Sequence, residues 1–463
     1  MIKKDTLIFV LLLLLVLSAV FTKDYFLFMP GYYFKKVFIY MLLFIIFIQF
    51  TIIKIPKINY SFTTIMLFTL LFFTQSITLF TSLGYENQNI FKNIISFTLF
   101  AFIIFLHYYV LRNFFHILQE RFINYFFKTF YVALGVMLLA NFIQLFSILM
   151  PSIFHGAEQF IADHLVLQWY RPDPEDKRFY TIANSYVQTN HRLNGLVEET
   201  SEDVAILFLA FIPFILGKIS TSIKLGNNLN TYWGNLIWFI LIVIILLLSK
   251  SSSGLLFTVV SNCFLLYIYL RYATVGDNII MLSIFFILLI IIALTNLDMI
   301  EHYWTKLFDN ESISTLSRSG ITFGLISLSF DNLLTGVGKG MVSNYLELYI
   351  PVWSYTYEME TWINNKGFPA LSMFFWLISE YGLPILFLIL YILFKTYKGL
   401  KELARFDSKY YTVYEAYKYF LIILFITLQA QTMIYKSFLM LITTFYIVIG
   451  LHSYYIIRHQ GTK

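Results

Sequence analysis

The sequence predicts an all-α fold: a polytopic integral membrane helical bundle of about twelve transmembrane helices, with two large extracytoplasmic loops. Three observations predict it. Of 463 residues, 59% are hydrophobic and only 13% charged, whereas a soluble domain carries roughly 25% charged residues. The apolar residues arrive in near-continuous blocks rather than at helical or strand periodicity. Several blocks reach the roughly 20 residues, at about 1.5 Å each, that a helix needs to cross a hydrocarbon core of about 30 Å. Strands of a membrane barrel would be about 10 residues long and alternate in polarity, and these blocks do not alternate. Residues 1–463 therefore read as a single integral membrane domain.

Along the chain, the block Leu7–Val20 follows Met1-Ile-Lys-Lys and ends Ser-Ala-Val-Phe-Thr. Without a clear A-x-A cleavage site it reads as a retained span, 6–22, rather than a signal peptide. Val37–Ile53 supplies the second span, 37–53, and 62–82 the third. Phe91–Leu106 carries the fourth, 92–111, which contains His107, read as a bundle or interface residue. Spans five and six are 129–150 and 204–219. Leu236–Leu248 lies inside the seventh, 233–249. The eighth, 254–270, contains Cys263, the only cysteine, which has no partner for an internal disulfide. Then follow 278–295 and 370–394. The last two, 417–432 and 438–457, are separated by a junction holding Gln429, Gln431 and Lys436.

An even number of spans puts both termini on one side, and the basic residues choose which. With the N-terminus in the cytoplasm, eighteen Lys and Arg fall in inner segments and six in short outer loops. The net charge of +6 sits at helix ends rather than in one stripe, so it is a topology signal and no nucleic-acid partner is expected.

Two outer segments, 151–203 and 296–369, are too long to be turns. They contain Trp169, Trp304, Trp353, Trp362 and many tyrosines, a composition that folds, and amphipathic helices lying over the bundle are expected. No internal repeat relates the two halves, which argues against an inverted-repeat transporter.

The first long loop ends Arg192-Leu-Asn-Gly195-Leu-Val-Glu198-Glu199-Thr-Ser201-Glu202-Asp203 and runs directly into the sixth span. Charges at a membrane surface are costly to desolvate unless paired. As an interfacial anchor, the acids favour the positive end of a helix dipole, with Thr200 or Ser201 as cap. That reading accounts for the acids, but less well for Arg192 and Gly195.

The second long loop holds Ser317-Arg318-Ser-Gly320 and then Gly336-Val-Gly338-Lys339-Gly340. Arg318 alone could be a snorkelling side chain. The glycine cluster lacks the G-x-x-x-x-G-K-[ST] spacing of a nucleotide loop and faces outward, away from nucleotide triphosphate, so a tight glycine-permitted turn is expected. Further on come Tyr355, Tyr357, Glu358, Glu360, Trp362, Lys366 and Gly367. Rings with carboxylates suit sugar recognition, and they equally suit an interfacial aromatic belt. The exit, Ser379-Glu380-Tyr381-Gly382-Leu383-Pro384, places an acid inside the tenth span, where it is expensive. The histidines are scattered, and neither HExxH nor paired Cys/His spacing occurs, so no metal or cofactor is expected. No serine-hydrolase or cysteine-nucleophile motif is present.

With these residues in view, the chain resembles the O-antigen ligase and polymerase superfamily of bacterial envelope glycosyltransferases. The likeness covers the span plan over nearly the whole chain and three local patterns. One is Arg192-x-x-Gly195 with Glu199-x-Ser201 leading into a helix. Another is Leu-Ser249-Lys250-Ser-Ser-Ser253-Gly254, opening the next helix. The third joins Arg318, then Asn332-Leu-Leu-Thr-Gly336-Val-Gly338-Lys-Gly340, then Glu380-Tyr-Gly382. Two departures stand out. Ser252 replaces the arginine usual in the second pattern, with Lys250 as a substitute. The histidine expected late in the large loop of ligases is missing, which tilts the resemblance to the polymerase branch.

The resemblance implies an enzyme of the bacterial cytoplasmic (inner) membrane that takes a glycan linked to a polyprenyl diphosphate. It transfers the reducing end to a hydroxyl on another lipid-linked repeat unit, building O-antigen or capsule-type polysaccharide. On this reading Arg192 and Arg318 are catalytic and hold the departing diphosphate, because arginine binds phosphate bidentately and stays charged. Glu199 is the first choice for the base, ahead of Glu198 and Glu360. Substrate contacts are expected from Gly195, Glu198, Gly336, Gly338, Lys339, Tyr357, Glu360 and Trp362. Expected partners are polyprenyl-diphosphate-linked oligosaccharides and the lipid bilayer, with a chain-length regulator and a flippase as candidate protein partners. Two alternatives stay open: a ligase that moves finished glycan onto a lipid acceptor, and a glycolipid flippase or transporter.

Overall fold

The computed structural model describes residues 4–21, 37–49, 62–81, 90–166, 187–188, 191–197, 199–225, 229–272, 313–364, 368, 372–429, 437–453 and 456–457. Among these, 89% are helical and no strand occurs. Among the described residues, six helices are long and apolar enough to cross a membrane: Phe97–Leu118, Arg121–Leu149, Thr200–Leu225, Ser252–Tyr272, Met373–Phe406 and Ser408–Leu428. Four apolar helices are shorter: Asp5–Val20, Thr69–Phe80, Tyr232–Leu248 and Ser437–Leu451. Expected span 278–295 lies outside the described residues, as do the tryptophans at 169 and 304.

In chain order the helices are α1 (Lys4–Val20), α2 (Val37–Ile48), α3 (Phe62–Thr81), α4 (Ile90–Leu118), α5 (Glu120–Leu149) and α6 (Pro151–His164). Next come α7 (Thr200–Leu225), α8 (Leu229–Leu248) and α9 (Ser252–Tyr272). The second long loop contains α10 (Ile313–Asp331), α11 (Val342–Leu346) and α12 (Tyr357–Asn364). The chain closes with α13 (Met373–Phe406), α14 (Tyr411–Leu428) and α15 (Ser437–Leu451). The described parts of both long loops are thus largely helical. Some helices outrun their expected spans: α5 begins nine residues early, at Glu120-Arg121, because a polar residue ends an apolar block but does not end a helix.

Helix α7 is almost wholly buried and forms the centre of the main core, with α1, α4, α5, α8, α9, α14 and α15 around it. Its middle, Leu207–Phe211, is π-helical. Pro213 follows; it cannot donate to the turn before it and its ring crowds the carbonyl four residues back, and a π-turn is one way a helix absorbs that. Helix α14 packs on α7 through small residues: a Cβ on Gly217 would lie 2.6 Å from the Ala416 backbone nitrogen. Close backbone approach of this kind substitutes for a hydrophobic drive that lipid does not provide. Aromatic stacking fills the rest, with Phe126 and Phe445 centroids 3.7 Å apart and Phe208 and Phe257 4.2 Å apart. A second, smaller apolar cluster holds α10, α11 and Met359 of α12. A third joins α3, α4 and α13.

Candidate functional site

The Arg192 turn is built on α5. Asn141, Gln144 and Ser147 lie at helical spacing on one face of that helix and are all buried. Gln144 Oε1 accepts from the backbone N–H groups of Asn194 (3.1 Å) and Gly195 (2.9 Å). Its Nε2 donates to Asn194 Oδ1 (3.0 Å) and to the Gly195 carbonyl (2.9 Å). One amide thus makes four bonds to two consecutive residues. Gly195 adopts φ +56°, and a Cβ there would run into the Asp203 carboxylate and Asn141. Only glycine combines that backbone with that approach. With Leu193, Asn194, Gly195 and Leu196 buried, Arg192 is left exposed.

The acids that follow divide in two. Asp203 is fully buried, accepting from Asn141 Nδ2 at 3.0 Å, so it is a core residue and not part of an interfacial anchor. Glu199, half-buried, occupies the N-cap position of α7 in place of the expected Thr200 or Ser201. Its side chain makes no capping bond but accepts from the Ser201 hydroxyl at 3.2 Å. Glu198 lies outside the described residues.

Arg318 has a comparable mount. Ser317 is buried and hydrogen-bonded to the Thr356 hydroxyl, and a Cβ on Gly320 would collide with Ser354. These two residues dock the start of α10 on segment 351–359, and Arg318 between them faces outward, exposed. Further along, Ser329 meets Ser379 of α13 at 2.8 Å and donates to the Phe375 carbonyl at 3.0 Å. Neither Arg192 nor Arg318 makes an ion pair among the described residues. Arg192's turn belongs to the main core and Arg318's helix to the second cluster.

The Lys250 turn is the tight link between α8 and α9. Lys250 is exposed at φ +52°. Ser251 Oγ accepts from the Gly254 N–H at 2.9 Å, capping α9.

Glu380 marks a break in α13. Gly382, at φ 78° and ψ 169°, interrupts α13. In a continuous helix the N–H groups of residues 383 and 384 would reach the carbonyls of Ser379 and Glu380. Leu383 instead donates to the Leu333 carbonyl at 2.7 Å, and Pro384 has no N–H. The glycine turn 336–340 takes up the released carbonyls. Val337 N–H donates to Ser379 O at 2.7 Å and Gly338 N–H to Glu380 O at 3.1 Å. Gln75 of α3 completes the junction, accepting from Lys339 N–H at 2.8 Å and donating to Glu380 O at 3.4 Å. Irregular backbone within a spanning helix survives only when re-satisfied like this, buried in protein.

Lys339 and Glu380 meet in this junction. Nζ lies 3.1 Å from Glu380 Oε1, the same oxygen accepts from the Gly340 N–H at 2.8 Å, and both side chains are buried. The glycine turn therefore encloses an anion, and that anion is the protein's own carboxylate. The amides of Gly336 and Gly338 are likewise bonded within the protein, which gives these glycines a folding role. Lys339 also lies 4.8 Å above the Phe100 ring, which stacks on Tyr381 at 6.2 Å.

Phe100 and Tyr381 open onto an apolar cavity of about 240 Å³, walled also by Leu71, Leu209, Ile385 and Met440. Its size is somewhat below the roughly 300–1,000 Å³ of drug-sized ligand pockets. It suits a length of hydrocarbon chain.

Of the aromatic and acidic residues in the late loop, Tyr357 and Glu360 are exposed on α12, whereas Trp362 packs partly against the second cluster. Lys366 and Gly367 lie outside the described residues. The junction residue Gln75 and the anchors Asn141 and Gln144 escaped the sequence reading. Their only signal was amide side chains within apolar blocks, which marks a buried polar contact without naming its partner. No family model, curated protein or solved structure matches the chain.

Proposed function

We propose that the protein is a polysaccharide polymerase of the O-antigen or capsule type, acting on polyprenyl-diphosphate-linked oligosaccharide repeat units. In this reading the chain crosses the bacterial cytoplasmic membrane about twelve times with both termini inside, and the chemistry takes place on the outer face. The observation that carries it is the pair of exposed arginines, each fixed by buried neighbours and neither engaged by a carboxylate among the described residues. Guanidinium groups held so are suited to charge that develops on a leaving diphosphate.

The acceptor hydroxyl attacks the anomeric carbon of the donor glycan, and the bond from that carbon to the diphosphate oxygen breaks. The polyprenyl diphosphate departs with the bonding pair, held by Arg192 and Arg318. The hydroxyl proton passes to Glu199, whose carboxylate is held by one neighbouring hydroxyl. A charge-assisted bond contributes roughly 1.5–3 kcal/mol, and it raises turnover to the extent that it strengthens as charge develops. The apolar cavity beside Phe100 supports the same reading, since an isoprenoid tail needs a dry channel among the helices.

The test is purified protein in lipid, supplied with a lipid-diphosphate-linked repeat unit and assayed for a polymer ladder. Arg192→Ala and Arg318→Ala should each abolish long polymer and leave single-repeat glycolipid. Near-normal chain lengths in both variants would refute the assignment.

A further inference from the structure

We propose that the ends of α7, α9 and α14 form a binding site for the phosphodiester headgroup of an anionic phospholipid, gripped by Lys224 and Arg271 around the Tyr272 ring. This inference does not rest on the polymerase reading. Helices α7 and α14 run antiparallel here, with Gly217 against Ala416, Ser220 donating to Glu415 at 3.4 Å, and Lys224 donating to the Tyr411 hydroxyl. Arg271, in the last turn of α9, donates to the Tyr267 hydroxyl. The two cations converge on one ring: Lys224 Nζ lies 5.9 Å and Arg271 Cζ 5.4 Å from the centre of Tyr272.

Their direct hydrogen-bond partners are phenols, and neither cation sits in an ion pair with a carboxylate among the described residues. Of the acids on the packed elements, Glu415 is bound directly by Lys418 at 2.8 Å and by the Tyr411 hydroxyl and attracts Arg271 without contact, and Asp407 accepts from the Lys409 N–H at 2.9 Å. Cations in the last turn of a helix answer its dipole, and interfacial tyrosines form belts. Neither effect brings a lysine and an arginine from different helices onto one ring. A phosphate would bring negative charge into direct contact with both cations and can take several of the five donors of a guanidinium at once. On the same helix ends, Leu225 and Leu270 are 44% and 59% exposed, so apolar surface for acyl chains adjoins the cations. That arrangement selects a lipid over a soluble phosphate.

The experiment uses the full chain purified in detergent, with lipid retention read by native mass spectrometry. Phosphatidylglycerol and phosphatidylcholine of identical acyl chains are compared, with glycerol phosphate as a soluble arm. Phosphatidylglycerol should be retained in preference. Lys224→Gln and Arg271→Gln should each weaken it roughly five-fold and the double variant roughly twenty-fold, while Lys224→Arg keeps wild-type retention. Lys398→Ala, an exposed lysine on α13, should have no effect. Equal retention of the two lipids, an equal loss in Lys398→Ala, or equal binding of glycerol phosphate would each overturn the proposal. If the glutamine variants fail to fold, retention by Lys224→Arg and Lys398→Ala against wild type still decides between a placed site and diffuse surface charge.

Discussion

The Lys339 ammonium lies 3.1 Å from the Glu380 carboxylate at the point where α13 is broken, so one buried ion pair closes both a glycine turn and a helix interruption. Removing one member of such a pair strands a charge in low dielectric, which costs far more than the pair itself contributes. Lys339→Met should therefore destabilise the protein by about 3–5 kcal/mol. The double variant Lys339→Met with Glu380→Gln should recover much of that loss. Unfolding midpoints of the three proteins in one detergent check this, and a double variant no better than the single one would contradict it.

Gly195 touches the Asp203 carboxylate in a left-handed conformation. A methyl group there meets a steric collision as well as a backbone strain of roughly 1–2 kcal/mol. Gly195→Ala should lower stability by at least about 2 kcal/mol. Arg192→Ala, three residues away but exposed, should unfold like the parent. A thermal melt of both variants separates the residue that holds the fold from the one proposed to bind the diphosphate, within a single four-residue motif.

Gln144 holds the turn by four hydrogen bonds. Gln144→Leu leaves buried backbone amides at Asn194 and Gly195 without acceptors, at a cost of about 1–3 kcal/mol each. Amide hydrogen exchange should accelerate at residues 194 and 195 while the middle of α5 stays protected. Unchanged protection at those two amides would show that the turn is held by something other than this side chain.

Gly320 lies against Ser354 where α10 docks. Gly320→Val should push the start of α10 off that segment and displace Arg318. On the proposed function, polymer formation should then fall close to the level of Arg318→Ala, although residue 318 is untouched. Pairing Gly320→Val with Ser354→Gly makes room again and should restore part of the activity.

By itself the sequence determined the all-helical, lipid-compatible character of this protein. It did so because apolar blocks long enough to span a bilayer are a local property, readable without knowing any neighbour. It also marked Arg192, Arg318 and Glu380, since charges beside or within such blocks are costly wherever they pack. Only the tertiary structure decided which motif residues face out and which hold the fold. Gly195, Gly320, Gly336 and Gly338 serve backbone approach or turn formation, Asp203 is buried under Asn141, and Lys339 is matched to Glu380 forty-one residues away in sequence. Those assignments depend on contacts between distant segments, such as Gln75 of α3 with the glycine turn. A hydrogen bond or ion pair is stabilising only once its partner is in place, and a partner's position is not a local property of the chain.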